Sequence, residues 1–453
     1  MTLEKGDVDI TKFPHEIDDG ITDSVTEVFD SSELEEVEGD AEPLNAPPKD
    51  KGYAWVVAVA GLLGQLCTWG CFSSYGVFLS YYLSTNPENV SPYNYTLIAG
   101  LIFFSCAVLA PVSLIAYRRF GFRWVAAGAV VGQTGGYLMA SWSTKLWQLY
   151  LTQGVLVGAS AVFIYIPITS IVPTWFEKYL ATGQGITGAG IGTGGIIFSL
   201  TINVMIEKYG VGWALRMVGM VSGFAGALAA LISRERVPTK RVPLKQDIKE
   251  VFDFRVFNSV PMYALLAWYC TGFIGSNMLL NTLPTYGIDQ GLSPKQASIL
   301  SATINAAQLI GRPLIGVLAD HLGRVNFSIF LNGYLTIVMC VMWPLSHSFG
   351  VLLGFAILIG LGFGAMSTMM PSLMLETTGD RRVLVPGWAG CNMASSIFQL
   401  TTPTAAMGIR NATHSFIVSQ EIGGVSFGIG FLGLLIVRWY IIKRKNLGMW
   451  SKI

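Results

Sequence analysis

The chain has 453 residues, 52% hydrophobic and 13% charged, with a mean hydropathy of +0.52; soluble domains carry about 25% charged residues, so this composition excludes a water-soluble globule. The net charge of +1 conceals an asymmetry, because 16 of the 28 acidic residues but only three of the 29 basic ones lie in residues 1–50, leaving the remainder at +14. That surplus sits in loops between apolar segments, a membrane-topology pattern that argues against nucleic-acid binding.

In chain order, residues 1–49 are acidic, poor in aromatics and closed by Pro47-Pro48. They read as a disordered, solvated cytoplasmic tail, with regulation or turnover as the alternative to a plain spacer. The start carries no basic stretch followed by an apolar one, so a cleavable leader is not expected, and the C-terminal end shows no prenylation box. Twelve apolar segments follow, at 54–83, 95–117, 123–141, 147–174, 181–206, 213–233, 260–287, 296–319, 325–346, 350–376, 384–408 and 420–442. Each is long enough to cross a bilayer, which takes roughly 20 residues of helix. The most polar interior connection, Arg234–Arg255, divides them six and six, and Leu244–Phe254 within it reads as a short interfacial helix. The expected organisation is therefore a tail (1–49), an N-terminal half (50–233), a linker (234–259), a C-terminal half (260–442) and a short tail (443–453), all-α and integral to the membrane.

Basic residues set the orientation. Arg118, Arg119, Arg123, Lys178, the seven basic residues of 234–255, Arg324, Arg381, Arg382, Lys443, Arg444, Lys445 and Lys452 fall on one side. Lys145, Lys208, Lys295 and Arg410 fall on the other. The first side is expected to be cytoplasmic, with both termini there. Three Asn-x-Ser/Thr sequons, at Asn89, Asn94 and Asn411, fall in outer loops as glycosylation candidates, whereas a fourth, at Asn326, falls inside and is expected to be silent.

The six cysteines, Cys67, Cys71, Cys106, Cys270, Cys340 and Cys391, lie within apolar segments without a CxxC pair, so they read as small buried hydrophobes. Gly183-Gln184-Gly185-Ile186-Thr187-Gly188 matches GxGxxG, but it follows no strand, so a nucleotide site is rejected. Gly188, Gly190, Gly192, Gly194 and Gly195 instead give the small-residue spacing of close helix contact. Pro167, Pro173, Pro371 and Pro403 imply kinks. Glu376 is read as a surface-level acid, with a proton site as the alternative, and Arg216 as an arginine that snorkels to the interface.

The most informative segment is the eighth. Arg312 lies deep within it, where an arginine costs at least roughly 2.5–3.5 kcal/mol on insertion scales. Its two readings are an anion site facing a wet cavity, or a lock that holds a helix pair through backbone carbonyls. Gln308 and Asn305 share its face at helical spacing and either line a cavity or bond between helices. Trp69, Ser73 and Ser74 in the first segment are candidates for the opposite wall, with core packing as the alternative for each. The eighth segment ends in Gly316-Val317-Leu318-Ala319-Asp320-His321-Leu322-Gly323-Arg324, a charged corner. The second-to-third turn, Tyr117-Arg118-Arg119-Phe120-Gly121-Phe122-Arg123, stands at the matching place in the first half.

Two six-helix halves with a basic linker are similar to the major facilitator architecture. The second-half corner resembles that superfamily's Gly-x-x-x-Asp-(Arg/Lys)-x-Gly-Arg motif, apart from His321, and so marks Gly316, Asp320, Gly323 and Arg324 as gating candidates. The first-half copy has Arg118 where the aspartate is expected, so that gate is expected to be held differently. Asp50-Lys51-Gly52-Tyr53-Ala54-Trp55 resembles the first signature of the monocarboxylate transporter family, with Lys51 replacing a Gly and Tyr53 a Trp. The stretch Trp175–Gly190 resembles its second. With Arg312-Pro313, the resemblance covers residues 50–442 and is nearest to a fungal-type branch. It implies a substrate-binding Arg312. Proton-coupled relatives carry a lysine near Ser73 and an aspartate at the position of Gln308, so the same proton coupling is not implied.

The expected function is secondary active or facilitative transport of small organic molecules, monocarboxylates or related acidic metabolites, by alternating access. Efflux of a secondary metabolite is the alternative, and a non-transporting nutrient sensor on the same fold is the reading from another class, disfavoured by tails of only about 50 and 10 residues. No HExxH, GxSxG or phosphate loop is present, so neither an enzyme nor a primary pump is expected. No cofactor or metal is expected; the partners are the substrate and the bilayer, and the coupling ion stays open, with a proton as the candidate. The expected location is the plasma membrane, with a vacuolar or other internal membrane as the alternative.

Overall fold

The structure is a computed structural model that describes residues 47–85, 90–236, 243–380, 383–413, 415–449 and 451–452. The expected disorder of the acidic tail and the sequon asparagine Asn89 lie outside the described residues, apart from 47–49 of the tail. Among the described residues the regular structure is helical throughout. In chain order the helices are α1 (Tyr53–Leu83), α2 (Pro92–Val108), α3 (Ala110–Phe120), α4 (Phe122–Ser141), α5 (Leu146–Trp175), α6 (Leu180–Tyr209) and α7 (Val211–Ile232). A short α8 (Leu244–Val251) precedes α9 (Val260–Asp289), α10 (Pro294–Leu322), α11 (Arg324–Met342), α12 (Phe349–Gly362), α13 (Ala365–Thr378), α14 (Leu384–Thr413) and α15 (Ile417–Lys445).

By length and apolarity alone, seven of the described helices qualify to cross a membrane, or eight if the bent pair α2 and α3 is one span. The other long helices, α4, α9 and α14, are diluted by polar residues such as Gln133, Asn277 and Asn392 and so fall short on apolarity while remaining helical. Large apolar side chains cover the outer surface: Trp124, Val131 and Phe224 are 74–80% exposed. In water such a surface would aggregate, whereas against lipid tails it costs nothing.

Local chemistry sets the breaks. Gly121, Gly210 and Gly323 each sit at positive φ (75°, 85° and 99°), ending one helix and opening the next. Only glycine takes this backbone without strain, so each corner is a one-residue hinge. Gly121 and Gly323 are the two corners anticipated from sequence. The 48° bend between α2 and α3 falls at Leu109, just before Pro111, which lacks the N–H that would continue the ladder. At the start of α10, Ser293 and Gln296 form a reciprocal capping box around Pro294.

The seam between α6 and α10 is made by absent side chains. A Cβ on Gly316 would strike the Ala181 carbonyl, one on Gly185 would lie 2.6 Å from the Arg312 carbonyl oxygen, and one on Gly192 would lie 2.6 Å from the Asn305 carbonyl. The glycine run of α6, read as a close-contact face, therefore packs backbone to backbone along α10. A second close approach joins α2 to α14, where a Cβ on Gly100 would lie 2.9 Å from the Leu400 carbonyl.

Candidate functional site

Arg312 lies ten residues from the end of α10, roughly 15 Å of helix at 1.5 Å per residue. Its side chain is buried, as are Asn305 and Gln308, at 5%, 2% and 2% exposed. The stripe read from sequence is a bonded pair: Arg312 Nη2 donates to Gln308 Oε1 at 3.1 Å. Two glycines leave room for the side chain. A Cβ on Gly188 of α6 would lie 3.2 Å from Arg312 Cδ, and a Cβ on Gly364, between α12 and α13, would land on the guanidinium itself. Gly364 is also left-handed, with φ 85°. Two independent constraints thus require glycine there, and sequence reasoning passed over it.

Asn305 continues the stripe toward the other end of α10. Its amide nitrogen donates to the Ser301 carbonyl at 3.2 Å, while its buried Oδ1 has no hydrogen-bond partner. Ser73 reaches the same place from α1, since a Cβ on Gly195 would lie 2.7 Å from both Ser73 Oγ and Asn305 Cγ. Ser73 Oγ itself donates back to the Gly70 carbonyl at 2.8 Å. Ser74 is turned inward onto its own helix, donating to the Cys71 carbonyl at 2.7 Å.

Trp69 sits in a five-residue π-helical segment of α1, Leu66–Gly70, an irregularity frequent at functional positions. Its ring stacks on Phe103 at 5.6 Å and meets Tyr165 at 5.4 Å and Phe273 at 6.2 Å. Tyr269 joins Phe273 at 5.0 Å and Trp388 at 5.8 Å, and Tyr165 faces Trp388 at 6.4 Å. Five helices, α1, α2, α5, α9 and α14, thus contribute to one aromatic layer, and Tyr165 lies within electrostatic reach of Arg312. The indole nitrogens of Trp69 and Trp388 are buried without a hydrogen-bond partner, which is rare for buried donors in folded proteins. Sequence reasoning found Trp69 alone. The others occupy four further segments, and aromatic residues are too frequent in this chain for spacing to reveal which ones converge. Arg312 carries charge-assisted donors of the kind that bind anions, and the rings present planar apolar faces.

The gating candidates form a second constellation. Asp320 Oδ2 accepts from the Thr182 N–H at 2.9 Å and the Thr182 hydroxyl at 3.0 Å, so α10 caps the start of α6. Arg324 donates to Asp320 at 3.1 Å, to the Glu177 carbonyl at 3.4 Å and to Glu376 at 3.5 Å. Glu376 also meets Lys445 at 3.5 Å and is a partly exposed network member, as a surface-level acid should be. Immediately before this turn, Asp50 accepts from the backbone N–H groups of Glu177, Lys178 and Tyr179 at 3.0–3.2 Å. Burial pushes the Asp50 carboxyl up, but the three backbone donors and Lys49 outweigh it and hold it below its ordinary value. The two stretches that carry the family resemblance are therefore one packed unit, reinforced by Trp55 against Phe176 at 5.2 Å.

The first-half corner is held differently, as its sequence implied. Arg118 Nη1 donates to Asp247 at 2.8 Å and to Glu250 at 2.9 Å, both on α8. The acid missing from the corner is supplied by the linker, and α8 also packs on α14. Of the remaining residues, Arg216 stacks on Trp213 and Trp142, as an interfacial arginine does. The six cysteines are free, five of them buried. Asn94 lies in the first turn of α2, half-buried, with its amide oxygen 3.5 Å from the Tyr150 hydroxyl. Asn411 lies in the last turn of α14. These two sequons are thus helical, where outer loops were expected.

Comparison with known proteins agrees with this fold. Residues 61–403 match the family model described as Major Facilitator Superfamily. The chain is 35% identical over 413 residues to the uncharacterized transporter ESBP6 of Saccharomyces cerevisiae, a match that covers 89% of this chain and 61% of that protein. It is 28% identical over 406 residues to the probable transporter MCH2 of the same yeast, covering 88% and 85%. It is 28% identical over 385 residues to the aspyridones efflux protein apdF of Emericella nidulans, covering 83% and 76%.

Proposed function

Because the chain belongs to the major facilitator superfamily, we propose that it is a secondary transporter that moves a small organic anion of the monocarboxylate class by alternating access. The observation that carries this reading is the buried Arg312, paired with an amide and enclosed by the glycine backbones of α6 and the α12–α13 break. A guanidinium placed there offers a carboxylate two parallel donors in a low-dielectric setting. Gln308 cannot ionise, so the reading requires no proton at the Arg312–Gln308 pair.

Asp320, Arg324, Gly316 and Gly323 act as the gate on the face that carries the corners. Asp320 ties α10 to α6, and Arg118 ties the first corner to the linker helix. These contacts stabilise the state closed on that face, and the excess of basic loops supports its placement on the cytoplasmic side. The two six-helix halves then rock about the glycine seam, with both termini inside and the plasma membrane as the site of action. Asn411, in the last turn of α14, stays a glycosylation candidate of the outer face.

A second reading, export of a larger secondary metabolite, is favoured by the aromatic layer. Seven rings, those of Trp69, Phe103, Tyr165, Tyr269, Phe273 and Trp388 together with Phe72, which meets Trp69 at 6.2 Å and Phe103 at 5.8 Å, suit a planar apolar body better than a two- or three-carbon acid. The efflux protein for aspyridones among the relatives is consistent with it. Uptake and efflux of radiolabelled acids in vesicles, from acetate to arylalkanoates, with and without a pH gradient, separates the readings. Saturable flux of short acids supports the first, flux confined to bulky ones supports the second, and absence of any saturable flux overturns both.

A further inference from the structure

Away from the centre, two contiguous grooves open on the outer surface of α3, α4 and α5. One, of about 540 Å³, is lined by Ala116, Val125, Gly128, Ala129, Ala159 and Ser160, among others, on the lipid-facing side. Small residues from three helices make the trench. The second, of about 570 Å³, lies against the start of α8 and is lined by Arg118, Arg119, Pro243, Leu244 and Asp247. Phe120 and Trp124 line both, so the two grooves adjoin at these rings, one apolar and one charged.

The level of the membrane surface is marked independently. On α8, Leu244, Ile248 and, just beyond its end, Phe252 are 38–44% exposed at i, i+4 and i+8, whereas Asp247 and Val251 face the protein. Such a helix lies in the interface with its apolar stripe turned to lipid. Trp124, 80% exposed, stands at the same junction, as interfacial tryptophans do. The charged end is thus at headgroup height and the apolar end at acyl-chain depth.

The two arginines of the charged end are not equivalent. Arg118 is consumed by Asp247 and Glu250. Arg119 is exposed, as is neighbouring Arg123, and among the described residues neither lies within salt-bridge distance of a carboxylate. Arg119, an uncompensated cation lining the charged groove, with Arg123 following at the start of α4, matches an anionic headgroup with its acyl chain, and a zwitterionic headgroup would leave that charge unmet. We propose that these adjoining grooves are a binding site for one anionic phospholipid of the leaflet at the corner face, with its phosphate on Arg119 and Arg123 and one acyl chain in the trench. The site adjoins the Arg118–Asp247 contact, so the bound lipid braces α8 where the linker holds the first corner.

The test is native mass spectrometry of the full chain released from nanodiscs of phosphatidylcholine mixed with phosphatidylserine. Wild type is expected to retain one phosphatidylserine in preference to phosphatidylcholine. Arg119→Gln and Arg123→Gln should each reduce that preference about fivefold, the worth of one interfacial cation. Gly128→Leu, which fills the trench without touching charge, should reduce retention of the same lipid, whereas Lys443→Gln, an exposed cation elsewhere on this face, should not. Size-exclusion profiles control for folding. Equal retention of the two lipids by wild type, an unchanged preference in the double arginine variant, or an equal loss in Lys443→Gln would each overturn the proposal, the last by reducing it to general surface charge. Retention unaffected by Gly128→Leu would remove the acyl trench and refute the site as drawn.

Discussion

Replacing Asp320 by asparagine isolates the charge of the proposed gate from its shape. The carboxylate makes hydrogen bonds of 2.9 and 3.0 Å to Thr182 and one of 3.1 Å to Arg324, and its side chain is only 8% exposed. Hydrogen bonds to a charged group contribute roughly 1.5–3 kcal/mol each, and a carboxylate at a helix start about 0.3–2 kcal/mol. An amide retains one acceptor and keeps part of the bonding, so the loss should be about 2 kcal/mol, or roughly 30-fold in the ratio of closed to open states at this face. Ile315, 3% exposed on the sealed stretch of α10, reports opening when replaced by cysteine. The native cysteines are mostly buried, which keeps the background of a membrane-impermeant thiol reagent low. Labelling of Ile315→Cys from the corner face should accelerate in the Asp320→Asn background while turnover slows. Unchanged labelling with normal turnover would refute the gate.

Three other outcomes follow from the same contacts. Arg118→Glu should loosen the linker clasp and lower thermal stability in detergent, and adding Asp247→Arg should recover part of it, about 1 kcal/mol of coupling in a double-mutant cycle; strict additivity would show that the pair does not interact. Gly364→Ala should displace the Arg312 guanidinium and strain a left-handed backbone, at about 1–3 kcal/mol, seen as reduced yield and at least tenfold weaker substrate affinity; wild-type affinity would contradict the enclosure drawn around Arg312. The Asp50 cap has a folded value below its ordinary 3.8, so its stabilisation is present in full above that value and is lost as pH falls through the lower folded one. Asp50→Asn should flatten the acid limb of a melting-temperature profile, and an unchanged limb would assign that limb to other carboxylates.

How far the sequence reached depends on the range of each signal. The all-helical membrane architecture was legible because apolar length and corner glycines are local properties: Gly121 and Gly323 announce their turns by what surrounds them. The Arg312–Gln308 pair was legible for the same reason, since four residues is one helical turn. The partner of Arg118 was not, because Asp247 lies 129 residues away and only the fold brings α8 under the corner. The aromatic layer was lost similarly: Phe103, Tyr165, Tyr269, Phe273 and Trp388 come from four helices, and no spacing within one segment encodes their meeting. Gly364 was hidden among 51 glycines, distinguished only by its backbone angle and by the guanidinium beside it. The bend before Pro111 could have been anticipated, since a proline inside an apolar segment is a local signal.

The central claim is that Arg312 binds the anion, and a paired substitution tests it most directly. Arg312→Lys keeps the charge and loses the planar fork, while Arg312→Ala loses both. With surface abundance matched, initial rates of saturable acid transport in vesicles should fall by one to two decades in Arg312→Lys, the equivalent of about 1.5–3 kcal/mol. Arg312→Ala should leave almost none. Transport by Arg312→Ala at the wild-type rate would contradict the account, for it would remove the anion site from α10.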